Sequence, residues 1–175
     1  MEFQITKKAK NVTFGLMGVG LLLTIVGVFM NMSDHHFLTR FLASGLISGF
    51  FFFALGLGAL FFLSLQYATE TGWYASVKRV IEGVAGFIPY GMGVLGLVLL
   101  VITLNHGAHI YLWMDPKVVA HDEIIQGKAA YLNPIFFWIR TIVYFATYII
   151  FLRGFQKRSA EEDRIGGKDI HLQNY

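Results

Sequence analysis

The chain has 175 residues, of which 55% are hydrophobic and only 14% charged, and it contains 19 Gly, 17 Phe and no cysteine. A soluble domain carries about a quarter charged residues, so this balance points to an integral membrane protein. The absence of cysteine excludes disulfides, thiolate nucleophiles, Fe–S ligation and covalent c-type haem attachment within this chain. The net charge of +3 is read as a mark of membrane topology, and no nucleic-acid partner is expected.

Residues 1–11, "MEFQITKKAKN", are read as a charged cytoplasmic tail. Apolar runs follow at 12–32, 41–66, 83–104 and 134–152, each close to the ~20 residues that cross a hydrocarbon core. The first run is long enough to span and no small-residue cleavage site follows it, which favours a transmembrane helix over a signal peptide. The second carries no charge and is rich in small residues. Gly45 and Gly49 form a GxxxG pair, and Ala54 and Gly58 a second small-xxx-small pair, the pattern that lets membrane helices approach closely. The third run contains Pro89 and the fourth contains Arg140. Lipid cannot satisfy backbone polar groups and no alternating pattern is present, so helices are expected. The expected fold is all-α, an integral membrane four-helix antiparallel bundle over 12–153, with a cytoplasmic polar linker over 154–175.

The loops set the expected orientation. Lys7, Lys8, Lys10, Lys78, Arg79, Arg153, Lys157, Arg158, Arg164 and Lys168 fall on one side, against Arg40, Lys117 and Lys128 on the other. The positive-inside rule then puts both termini in the cytoplasm. The second loop, "YATETGWYASVKRVIE", is expected to form a short interfacial helix with Trp73 and Tyr74 at headgroup level. The third, 105–133, is long for a hairpin between spans, and long loops often bind something.

Few residues carry chemistry. His35, His36, His106, His109, His121 and His171 all lie outside the middle of a span, so a bis-His b-type haem fails on position. His106 and His109 stand three apart, as two metal ligands on one helical turn would, with Asp115, His121, Asp122 and Glu123 following. The alternative is a polar surface loop that contacts another protein. No Asp or Glu lies inside a span, which disfavours a stand-alone proton-coupled transporter. Arg140 is the exception among the apolar runs. Arg140, Tyr144 and Tyr148 recur every four residues and form one helical stripe, with Thr141 and Thr147 beside it. The arginine sits ~9 Å from the outer end of its run. It can snorkel to the headgroups, pair with a loop carboxylate such as Asp122, or face a wet ion or quinone path. The tyrosine stripe reads as packing or as a proton relay. No catalytic, cofactor-binding or metal-binding residue is assigned.

Several segments together have a familiar pattern. A Gly-rich "GALFFLSLQY" is followed by "GW", then "KR", then "GKAAYLNPIFFWIR". In this order and spacing the chain resembles the ActF-type membrane subunits of bacterial alternative complex III, the quinol:cytochrome c oxidoreductase. These subunits are related to the NrfD/PsrC-type membrane proteins. The resemblance covers nearly all of the chain and the N-terminal part of the family, so an N-terminal portion is expected. It implies a subunit of the respiratory chain in the bacterial inner membrane, structural or proton-conducting and without cofactors of its own. Quinol, c-type haems and Fe–S clusters would lie in an ActC-like membrane paralogue and in periplasmic subunits, with membrane lipid and a terminal oxidase as further partners. It also implies a polar path through Arg140, Tyr144 and Tyr148, with Asp122, Lys128 and Tyr131 at its outer mouth and Glu70 and Lys78 near the inner one. The alternatives are a quinone-binding subunit in its own right and a small stand-alone transporter or channel.

Overall fold

A computed structural model describes residues 6–34, 36–69, 72–105 and 110–165, and within them the chain is all-helical with no strand. The principal helices are α1 (Lys7–Asn31), α2 (Phe37–Ala68), α3 (Lys78–Ala85), α4 (Ile88–Leu104), α5 (Pro116–Val119), α6 (Glu123–Gly127) and α7 (Pro134–Ile165). Four helical stretches are long and apolar enough to cross a membrane: Lys7–Asn31, Phe37–Ala68, Lys78–Leu104 and Pro134–Arg164. The chain divides into two compact units, Met1–Arg40 and Phe41–Tyr175.

In the first unit, Thr6 caps α1 by accepting from the Ala9 amide at 3.4 Å, which satisfies one of the orphan donors at the helix start. The side chains of Thr13, Thr24 and Asn31 each donate to the carbonyl four residues back. An apolar helix can carry such groups because they are satisfied within it. After Met32 the chain turns at Asp34, whose carboxylate accepts from the His36 amide at 2.9 Å and pairs with Arg40 at 2.8 Å. This turn sets the start of α2.

In the second unit the core is built from α2, α3, α4 and α7. Leu63, Ala85, Ile88 and Leu152 are almost fully buried and pack with Phe53, Leu60, Met92, Leu95 and Leu99. Small residues bring α2 and α4 close. A Cβ on Gly49 would stand 3.6 Å from Leu95 Cα, and one on Gly91 would stand 3.1 Å from Phe53 Cα. One on Gly56 would stand 2.8 Å from Ile88 Cγ1. A side chain at Gly56 or Gly91 would therefore push the helices apart. The third helix packs in through Phe145 of α7, which lies 3.5 Å from the Cβ position of Gly96 and against the ring of Phe53.

The helices overrun the expected runs, α1 starting at Lys7 and α2 spanning Phe37–Ala68, and two further boundaries differ more. The third apolar run, expected to begin at 83, starts inside α3, and the helix breaks at Gly86 and Phe87 before α4. Pro89 stands in the first turn of α4, where a missing N–H leaves nothing unsatisfied. The polar linker expected from 154 is helical through Ile165. Leu152, Phe155, Ser159 and Glu162 recur at helical spacing and turn one face of this extension onto the core, with Leu152 2% and Ser159 1% exposed. Residues 166–175 lie outside the described residues.

Candidate functional site

The first turn of α7 is held by the loop that precedes it. Asn133 accepts from the Phe136 amide at 2.8 Å and donates to the carbonyls of Ala129 and Ala130. The Lys128 carbonyl accepts from the amides of Tyr131 and Leu132. This tight turn folds Tyr131 back over the side of α7. Arg140, two turns along the helix, donates from Nη2 to the Tyr131 carbonyl at 3.2 Å. Its guanidinium carbon stands 3.7 Å from the centre of the Tyr131 ring and 4.7 Å from that of Phe136. The two rings meet edge to face at 5.6 Å. One carbonyl and two π-faces thus receive the charge, an arrangement worth about 1–2 kcal/mol when partly desolvated.

Among the described residues Arg140 has no ion pair. Asp122 caps α6 instead, accepting from the amides of Ile124 and Ile125 at 2.9 and 3.1 Å. Lys128 is exposed and lines an open hollow with Tyr131 and Leu132. Tyr144 is exposed, whereas Tyr148 is half-buried with its ring 6.0 Å from Phe53. Thr141 and Thr147 donate to carbonyls of their own helix, at Phe137 and Val143. The structure therefore brings Tyr131 to Arg140. It draws no hydrogen bond among Arg140, Tyr144 and Tyr148 within the described residues. Glu70 lies outside the described residues.

The rest of the third loop is pinned by aromatics. Tyr111 and Trp113 pack on Phe137 at 6.1 and 5.6 Å. Burial pushes the Tyr111 phenol up from its ordinary pKa, so it stays protonated. Asp115 caps α5 through the Lys117 amide at 2.9 Å. His35, His106, His109 and His171 lie outside the described residues. Among the described ones, no group of three or more metal-ligating side chains gathers, and the His121 ring nitrogen is engaged with the Lys117 carbonyl.

Sequence reasoning named Lys78 near the inner mouth of a path but missed the charged cluster that it forms with the other end of α7. Lys78 pairs with Glu162 at 2.5 Å and stands over the Tyr67 ring. That ring stacks on Phe155 with centres 5.2 Å apart. Arg79 pairs with Asp163, reaches Glu82 at 2.8 Å and donates to the buried Ser159 hydroxyl at 3.2 Å. The adjacent cations of "VKR" and the acidic run of "EED" were the available signal. About eighty residues separate them, so spacing could not connect them. The helix-packing residues also divide. Gly45 faces Val98 and Gly49 faces Leu95, while the Cβ position of Gly58 meets nothing within 4 Å. Ala54 is half-buried. The tightest approaches, at Gly56 and Gly91, were not singled out.

A groove of about 390 Å³ lies between α2 and α7, lined by Leu57, Leu60, Phe61, Ser64, Thr147, Tyr148 and Phe151. Against protein-family models, curated proteins and solved structures, the chain finds no match.

Proposed function

We propose that this chain is a membrane subunit of a quinol:cytochrome c oxidoreductase of the alternative complex III type, acting in respiratory electron transfer in a bacterial inner membrane. The observation that carries this reading is the ordered pattern "GALFFLSLQY", "GW", "KR" and "GKAAYLNPIFFWIR", whose last segment forms the turn that holds Arg140. The four long apolar helices support membrane insertion. The contacts of α2 on α4 run in falling order, 45 with 98, 49 with 95 and 56 with 88, which supports an antiparallel bundle. The distribution of Lys and Arg supports cytoplasmic termini. In this role the chain is structural, with Arg140 locking the third loop on α7, or it conducts protons along the face of Arg140, Tyr144 and Tyr148. An ActC-like subunit and periplasmic haem and Fe–S subunits are the proposed partners.

Affinity purification from mild-detergent membranes, followed by a visible spectrum, tests the assignment. A c-type haem spectrum that quinol reduces is the expected result. A haem-free, self-assembled species would remove the assignment. Arg140→Leu then separates the two roles. Loss of proton translocation in an intact complex identifies a path, while loss of assembly identifies a lock.

A further inference from the structure

The charged and apolar sides of α3 are reversed relative to a helix on a soluble protein. Lys78 and Ala85 are buried. Lys78 and Arg79 turn to Glu162 and Asp163 of α7, and Glu82 is drawn in beside Arg79. The apolar side chains lie on the open side. Val77, Val80, Val84 and Phe87 recur at intervals of three, four and three residues and share one line along the helix. All four are exposed, Val80 by 70%. The line goes on along α4 through the exposed Tyr90, Val94 and Leu97, within a stretch apolar enough to cross a membrane.

The two helices together, Lys78–Leu104, make 27 residues, or ~40 Å at ~1.5 Å per residue. Hydrocarbon alone is ~30 Å thick, and a bilayer with its headgroup layers ~40–45 Å. With α4 in the hydrocarbon, α3 stands in one headgroup layer. The turn before it returns to the same depth. In the 3-10 turn Trp73–Ser76 the exposed Trp73 ring meets Phe62 of α2 edge to face at 6.1 Å, and Phe62 belongs to an uncharged apolar run. An uncharged surface that continues the open side of a span and is preceded by a tryptophan has the pattern of an interfacial contact. We propose that Val77, Val80 and Val84, together with Trp73, lie in the boundary between headgroups and acyl chains of a phospholipid leaflet, while the polar side of α3 stays turned to α7. The contact thus extends past the tryptophan expected at headgroup level and is made by a face of α3. It selects no headgroup charge, because the surface offered carries none. The proposal rests on the membrane placement of the chain and not on its membership of a respiratory complex.

The chain has no cysteine, so single cysteines report single positions. The test uses the full chain in phosphatidylcholine nanodiscs, spin-labelled in turn at Val80→Cys, Val84→Cys, Val94→Cys and Glu161→Cys. Collisions are read with oxygen, which enters lipid, and with a nickel chelate, which stays in water. Val94→Cys marks the hydrocarbon, and Glu161→Cys, exposed near the end of α7, marks the water. The oxygen-to-nickel ratio at Val80→Cys and Val84→Cys is expected to exceed that at Glu161→Cys about fivefold, and to be higher at Val84→Cys than at Val80→Cys. A ratio at Val80→Cys equal to that at Glu161→Cys places α3 in water and overturns the proposal. Low collision with both reagents shows that protein covers the face and overturns it as well. The unlabelled chain gives an independent reading. Lipid brominated near the headgroup should quench the part of the tryptophan fluorescence that Trp73→Phe removes, with circular dichroism reporting an intact helical fold; no quenching of that part overturns the contact. If Val94→Cys also reads as water, the membrane placement falls together with the contact. If Val94→Cys reads as lipid and Val80→Cys as water, the contact falls alone.

Discussion

The two ends of α7 hold their cations by different chemistry. Near its start, Arg140 has a backbone carbonyl and the faces of Tyr131 and Phe136. Near its end, Lys78 and Arg79 of α3 meet the carboxylates of Glu162 and Asp163. The first arrangement leaves the charge uncancelled and depends on the fold of a loop, because the carbonyl belongs to the turn at Tyr131. The second cancels charge between side chains and depends on ionisation and salt. A lone guanidinium on an apolar helix can thus be held without a carboxylate, provided that a turn delivers an oxygen and aromatic faces to it. Where the helix leaves its apolar run, opposite charges do the same work and bring a polar segment into the fold.

The largest effect is expected from the packing that both ends share. Gly91→Leu forces a side chain against the Phe53 backbone, 3.1 Å from the Cβ position, and should cost about 3 kcal/mol. Thermal unfolding in detergent, followed by labels at each end of α7, should show both loosening together. If only one end responded, the two would be separate folding units and the comparison would fail. Next comes Lys78→Ala. Its side chain is 10% exposed and that of Glu162 39%, so the loss should be about 2 kcal/mol, below that of a fully buried pair. Lys78→Met, which keeps the stem over the Tyr67 ring, should recover part of it.

Arg140→Leu removes the carbonyl bond and both ring contacts and should cost about 1.5 kcal/mol. Arg140→Lys keeps the charge but not the planar stack, and it should restore less than half. Limited proteolysis of the 110–133 loop reads the same contact, with faster cleavage expected in Arg140→Leu. Unchanged cleavage would mean that the loop does not depend on the arginine. The smallest effect is expected from Asp163→Asn. The pair is exposed, 54% for Arg79 and 63% for Asp163, so about 0.5 kcal/mol is expected, fading in ~1 M salt. An effect on Arg140→Leu of the same salt sensitivity would erase the distinction between the two ends.

Reading the two ends from sequence succeeded to different degrees. Arg140 announced itself, because a guanidinium in an apolar run needs an explanation wherever it falls. Tyr131 entered only through the family resemblance, at the outer mouth of a polar path. The choice of partner was not legible. Asp122 and the Tyr131 carbonyl were both within plausible reach, and only the turn capped by Asn133 decides between them. The other end was not seen, because "SAEEDR" looks like a solvated linker until α3 is placed beside it. The glycines teach the same lesson. Gly45 and Gly49 were visible as a motif, whereas Gly56 and Gly91 belong to no local pattern and matter because their helices cross there.

By itself the sequence determined the helical class and the four apolar stretches. Lipid leaves a backbone little choice, and some twenty apolar residues in a row say so locally. It also determined that a cation must be accommodated within the last stretch. The tertiary structure alone decided which atoms accommodate it, how far α7 continues past Leu152, and that a groove opens between α2 and α7. Each of these depends on residues far apart in the chain meeting at short range. Local propensity and periodicity contain no term for such meetings; packing and charge pairing supply it.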